Sequence, residues 1–227
     1  SVKISKVDVT TQEELEGATL QVIEKDEAGK ETVVREWTSG KTPEEIEGLK
    51  TGVEYTLRET VAPEGYTVAT DTTFTIDEKG NVTTTGSITE EGVILVEDAK
   101  TSVKISKVDV TTQEELEGAH IQIIDSKGNI VEQWDSAKDA HEVTGLVAGE
   151  TYTLHETVAP DGYTVATDTT FTLKDDGTID GDKSSASVTE DGIVLVEDAL
   201  TSVKISKTDI TGEEELEGAH IQIIDSE

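Results

Sequence analysis

The chain repeats itself with a period of roughly 100 residues, and no other feature restricts its fold so strongly. The segment SVKISKVDVTTQEELEGA at residues 1–18 returns unchanged at 102–119, and a close copy, SVKISKTDITGEEELEGA, opens at Ser202. Two further segments follow in the same order. ETVAPEGYTVATDTTFT runs from Glu59 and ETVAPDGYTVATDTTFT from Glu156; VILVEDA starts at Val93 and IVLVEDA at Ile193. Repeats of about 20 to 50 residues stack as solenoids because none can close a core alone, whereas a period of domain size predicts independent units. Residues 1–100 therefore read as a first unit, 101–200 as a second, and 201–227 as the N-terminal fragment of a third. That fragment holds too few strands for a core and is expected to be poorly ordered or paired outside this chain. Only Lys100 and Thr101, or Leu200 and Thr201, separate successive copies, and so short a joint favours a rod over beads on a string.

Within each unit, short alternating runs are broken by turn residues, as at Ala62-Pro63-Glu64-Gly65, Lys79-Gly80-Asn81, Lys127-Gly128-Asn129 and Asp176-Gly177. Residues 2–7, 19–24, 32–37, 54–60, 72–76 and 93–97 are among some seven strand candidates per unit. That number and spacing predict an all-β fold: tandem Greek-key sandwiches of the prealbumin or immunoglobulin kind. Residues 12–15 allow one helical turn, and nothing supports a longer helix. With 33% apolar and 4% aromatic residues the cores must be lean, and the absence of cysteine removes disulfides as a staple and thiolates as metal ligands. No stretch approaches the ~18 apolar residues of a membrane span. Residues 1–20 do not resemble a signal peptide, so targeting and anchoring segments are expected outside these residues. A formal charge of -32 repels phosphate backbones and anionic lipid, which argues against nucleic acid as a partner.

Strand parity then singles out three ionisable residues per unit. In the first strand Val2, Ile4 and Lys6 share a face; in the middle strand Tyr55, Leu57 and Glu59 do; in the last, Ile94, Val96 and Asp98 do, although there both rows are apolar. The second unit repeats the pattern with Lys107, Glu156 and Asp198. Buried charges are costly unless they pair or neutralise. Three readings fit: strand ends where parity lapses, a buried lysine with two carboxylates, or a covalent amide between the lysine amine and the aspartate side chain.

The segment KISKVDVTTQEELEGATLQV with its Lys-x-Asp and Leu-x-Gly-Ala, the turn ETVAPEGY and the terminal ILVEDA resemble the CnaB-type (collagen-adhesin B region, SpaA-like) domains of Gram-positive surface adhesins and pilins. The resemblance covers both full repeats and the opening of the third. It implies an isopeptide bond from Lys6 to Asp98, assisted by Glu59, and another from Lys107 to Asp198, assisted by Glu156. Lys207 has no following partner and is expected to remain a free amine. The family also implies an extracellular, cell-wall-anchored stalk whose partners are neighbouring repeats, with a module recognising a host extracellular protein as the alternative. The reaction would be a single-turnover self-cross-link, needing no cofactor or metal; the chain carries no other enzyme motif.

His120, His141, His155 and His220 read as solvated, since the first unit has Thr19 and Arg58 where the second has His120 and His155. Acidic pairs such as Glu13-Glu14 lack the calcium-loop pattern. Trp37 and Trp134 are expected to pack on the cores and Tyr66 and Tyr163 to peg their turns. A Thr-Gln ester staple is ruled out because the last strands hold no glutamine.

Overall fold

A computed structural model describes residues 1–212 and 214–224. The first nine strands are β1 (Val2–Asp8), β2 (Thr19–Lys25), β3 (Glu31–Thr38), β4 (Glu44–Ile46), β5 (Glu54–Val61), β6 (Thr72–Ile76), β7 (Val82–Thr84), β8 (Ser87–Ile88) and β9 (Val93–Asp98). They form two sheets, ordered β4-β1-β9-β8 and β3-β2-β5-β6-β7. Alternation drives the packing. Val2, Ile4, Ile94 and Val96 face Leu20, Val22, Tyr55, Leu57 and Phe74 in one apolar cluster between the sheets, with Tyr55 stacked on Phe74 at 5.5 Å.

The second set is β10 (Ser102–Asp109), β11 (His120–Ile124), β12 (Ile130–Asp135), β13 (His141–Thr144), β14 (Thr151–Val158), β15 (Thr169–Thr172), β16 (Ser187–Val188) and β17 (Val194–Asp198). Its sheets, β13-β10-β17-β16 and β12-β11-β14-β15, enclose a second, separate cluster. The fold is all-β and sandwich-like, as the spacing of strands predicts. Trp37 and Trp134 pack half-buried against the two cores, also as expected.

Three details differ from the sequence reading. The strands number nine and eight rather than about seven, and β4, β7, β8 and β16 among them are two- or three-residue pieces that exist by pairing with a neighbour. Residues 12–15 make no helical turn: Gln12 takes a left-handed φ of 59° and Glu14 bridges Val7. Parity also fails in the second half of β1, where Ser5 and Val7 on the outer face are buried alongside Lys6. The segment after β1 folds back over that face, with Leu15 N–H donating to the Lys6 carbonyl at 2.7 Å and Ser5 Oγ donating to Glu14 at 2.7 Å.

The placement of the first and last strands matters most for the site. β1 and β9 are hydrogen-bonded neighbours running parallel, with Lys6 opposite Val96 and Asp8 opposite Asp98; β10 and β17 repeat this with Lys107 opposite Val196. Residues 202–212 and 214–224 hold no strand and are exposed apart from Thr208 and Asp209, with a bridge from Thr208 to Glu215.

Candidate functional site

Two residues beyond Val96 on the same face of β9, Asp98 projects diagonally toward Lys6, as side chains of equal parity on paired strands do. Glu59 reaches them from the opposite sheet. On β5 it is the last inward residue before a register shift that leaves Thr60 opposite no partner on β2, and the same bulge precedes Glu156's partner in the second unit. A bulge ends the regular pairing and re-aims the neighbouring side chain.

The three side chains meet in the interior. Lys6 Nζ lies against Asp98 Oδ1 and 3.2 Å from Glu59 Oε1, and all three side chains are 0% exposed. Lys107 Nζ lies against Asp198 Oδ1 and 3.0 Å from Glu156 Oε1, with the lysine side chain 1% and both carboxylates 0% exposed. Each glutamate is fixed by its other oxygen: Glu59 Oε2 accepts the Ala69 N–H at 2.6 Å and Glu156 Oε2 the Ala166 N–H at 2.6 Å. The lysine nitrogen, the remaining glutamate oxygen and both aspartate oxygens have no aligned hydrogen bond despite their closeness. These atoms face only one another, in a setting where unmet polar groups are expensive.

One cation between two carboxylates leaves a net negative charge in a dry space, and a proton on one acid removes it. Burial pushes the Asp98 carboxyl up to about 7, with Lys6 opposing and Glu59 reinforcing the rise. Burial likewise raises Glu156 above its ordinary value, against the lowering by the Ala166 N–H and Lys107.

A pH test follows for a chain that keeps both acids and loses the cation. In Lys6→Met nothing cationic in the trio opposes the rise at Asp98. Its folded value then stands above the ordinary 3.8, so unfolding releases a proton between those two pH values. The stabilisation is full below about pH 4 and is lost as pH rises through the folded value. The urea midpoint of the first unit in Lys6→Met should fall steadily from about pH 4 to above pH 7, and a midpoint that climbs over that interval would contradict the assignment.

Lys207, the third lysine of the pattern, is exposed. The tyrosine turns do act as pegs, through a residue that the sequence reading did not single out. Tyr66 OH donates to Asp8 Oδ2 at 3.0 Å, while Asp8 Oδ1 accepts the N–H groups of Thr10 and Thr11; Tyr163 and Asp109 repeat the arrangement. The signal was present in the Lys-x-Asp repeat, two residues past each buried lysine. Three of the histidines read as solvated lie half-exposed and also contact a surface neighbour. His120 and His155 each place Nδ1 2.7 Å from a carboxylate, Asp135 and Asp168, and His141 stacks on Trp134 with ring centroids 4.4 Å apart. In the first unit Arg58 binds Asp71 where the second has His155 and Asp168, so these contacts belong to the outer surface of a sheet rather than to a shared site.

Two sandwiches, each with a parallel pair at the centre of one sheet and a secluded lysine-glutamate-aspartate trio beside it, define a class of tandem β-sandwich protein. The chain belongs to the SpaA family of prealbumin-like fold domains, whose model matches residues 1–90 and again 101–185. Among solved structures, the C-terminal fragment of pilus adhesin SpaC from Lactobacillus rhamnosus GG is similar at 17% identity and TM-score 0.44, over 90% of this chain and 99% of that one. SpaC in its open conformation is similar at 17% identity and TM-score 0.41 over 90% of this chain and 32% of that one, so the chain spans about a third of its length. The shaft pilin SpaA from the same organism matches at 16% identity and TM-score 0.36, over 90% of this chain and 98% of that one. No curated protein matches the chain.

Proposed function

We propose that residues 1–100 and 101–200 are spacer units of an extracellular, cell-wall-associated stalk, each locked by a self-formed isopeptide bond, with residues 201–227 opening a third unit. The observation that carries this reading is the contact of Lys6 with Asp98, and of Lys107 with Asp198, at sites closed to water. An ammonium is no nucleophile and a carboxylate is a poor electrophile, so both must lose their charge before they react. In the dry trio a proton passes from lysine to a carboxylate, leaving a neutral amine beside a carboxylic acid. The amine attacks Asp98 Cγ, a C–N bond forms, a C–O bond breaks, and water departs. Glu59 takes a proton from the attacking nitrogen and returns it to the leaving oxygen, and it is unchanged afterwards. Fixed proximity removes most of the entropic barrier, and exclusion of water protects the product from hydrolysis. Glu156 serves Lys107 and Asp198 in the same way.

Intact-mass measurement tests the reading. The chain should weigh two water molecules less than its sequence requires, Glu59→Ala one less, and the double variant Glu59→Ala, Glu156→Ala the full sequence mass. A wild-type chain at full mass ends the covalent proposal, and a deficit that survives in the double variant ends the role given to glutamate.

A further inference from the structure

The two units touch through a small interface whose two sides differ in a telling way. Thr101 in the joint is wholly buried. Its N–H donates to the Gly65 carbonyl at 2.9 Å, its hydroxyl donates to the Leu146 carbonyl at 2.6 Å, and its own carbonyl accepts the Gly145 N–H at 2.9 Å. A fourth bond joins Val68 N–H to the Asp175 carbonyl at 3.1 Å. The backbones come so close that a Cβ on Gly65 would stand 2.8 Å from the Gly145 carbonyl oxygen, and Gly65 also has φ +82°, so only glycine fits.

The turn of the second unit that meets this end is Gly145-Leu146-Val147-Ala148-Gly149, and the same turn in the first unit is Gly48-Leu49-Lys50-Thr51-Gly52. Both are pinned alike, with Val147 N–H donating to Tyr152 OH and Lys50 N–H to Tyr55 OH, each at 2.9 Å. Val147 and Ala148 are half-buried and line a hollow together with Val61, Pro63 and Val68 of the first unit. Lys50 and Thr51 are exposed, and Lys50 Nζ is bound to Glu24 at 2.7 Å. The backbone of the turn is held in common while its side chains change from polar to apolar where a neighbour abuts.

We infer that Val147 and Ala148 make this turn a docking face for the Pro63–Val68 end of a preceding repeat, so that the joint is a fixed interface rather than a hinge. The Lys50 turn of the first unit lacks that face, which gives the repeats an order. The opposite half of the same interface is already set at the far end of the second unit, where Thr201 N–H and hydroxyl reach the Gly162 carbonyl at 2.8 and 3.0 Å. It fits the Gly-Leu-Val-Ala type of turn on a following repeat. This inference rests on the spacer reading but not on the cross-links.

The test is a distance distribution from pulsed electron paramagnetic resonance. The chain has no cysteine, so labels at Glu91→Cys and Asp191→Cys, exposed and equivalent turn positions, report one distance between units. The labelled chain should give one narrow distribution. Val147→Lys with Ala148→Thr installs residues that the first unit already carries in the same turn, so the second unit should fold and melt as before while the distribution at least doubles in width. Thr101→Val, which removes only the hydroxyl bridge, should broaden it in the same sense. A broad distribution in the parent, or one equally narrow in both variants, overturns the docking face. Masses taken on the same samples judge the cross-links separately.

Discussion

Stretched from its two ends in a single-molecule instrument, the chain should show no lengthening step from either sandwich. With a bond from Lys6 to Asp98, tension passes from β1 into the Lys6 side chain, across the amide and out through Asp98. Everything between those residues lies in a closed loop that bears no load. In the double variant Glu59→Ala, Glu156→Ala the same pull must travel through the whole loop, and each unit should yield in one step. Roughly 90 residues at ~3.3–3.6 Å each give a step on the order of 300 Å. Two such steps in the variant and none in the parent are expected. Steps of that size in the parent would mean that the loop is not closed.

The second large effect is thermal. Joining Lys6 to Asp98 restricts the unfolded chain over a loop of roughly 90 residues, worth about 4–5 kcal/mol in the loop-entropy model. That approaches the whole stability of a small domain, about 5–15 kcal/mol. These cores are small: the first cluster gathers eleven buried apolar residues, of which only Tyr55 and Phe74 are aromatic. For a unit of this size such a loss lowers Tm by about 20 °C or more. Calorimetry of Glu59→Ala should therefore show two transitions, with the first unit melting well below the second. A single transition at the parent temperature would show that closing the loop contributes nothing measurable. Removing Glu59 also leaves Lys6 and Asp98 unreacted in a dry interior, which adds to the loss rather than offsetting it.

Much of the site was legible because the strand period is two. Val2, Ile4 and Lys6 need only counting, and the second unit repeats the count at Val103, Ile105 and Lys107, all buried. Asp98 was ambiguous, since both rows of its strand are apolar; the sheet order resolves it by burying Ile94, Val96 and Asp98 and leaving Val93, Leu95 and Glu97 half-covered. What parity could not supply was everything carried by the backbone. The Ala69 and Ala166 N–H groups that hold the glutamates come from irregular segments with no side-chain signature. The burial of Ser5 and Val7 depends on where residues 9–16 fold, and β4 contains two glutamates and is a strand only because β1 offers it an open edge. The docking turn is different again. Val147 and Ala148 become informative only when set against Lys50 and Thr51 with the contact in view.

A consequence for reach comes from the direction of the first and last long strands, which lie at the centre of their sheet. Since β1 and β9 lie side by side and point the same way, the chain enters a unit at one pole and leaves at the other. Had that pair been antiparallel, entry and exit would share a pole and each added copy would fold back beside its neighbour. With this polarity, and in the spacer role proposed above, further copies would add to the distance spanned rather than fold back, so copy number alone could tune it.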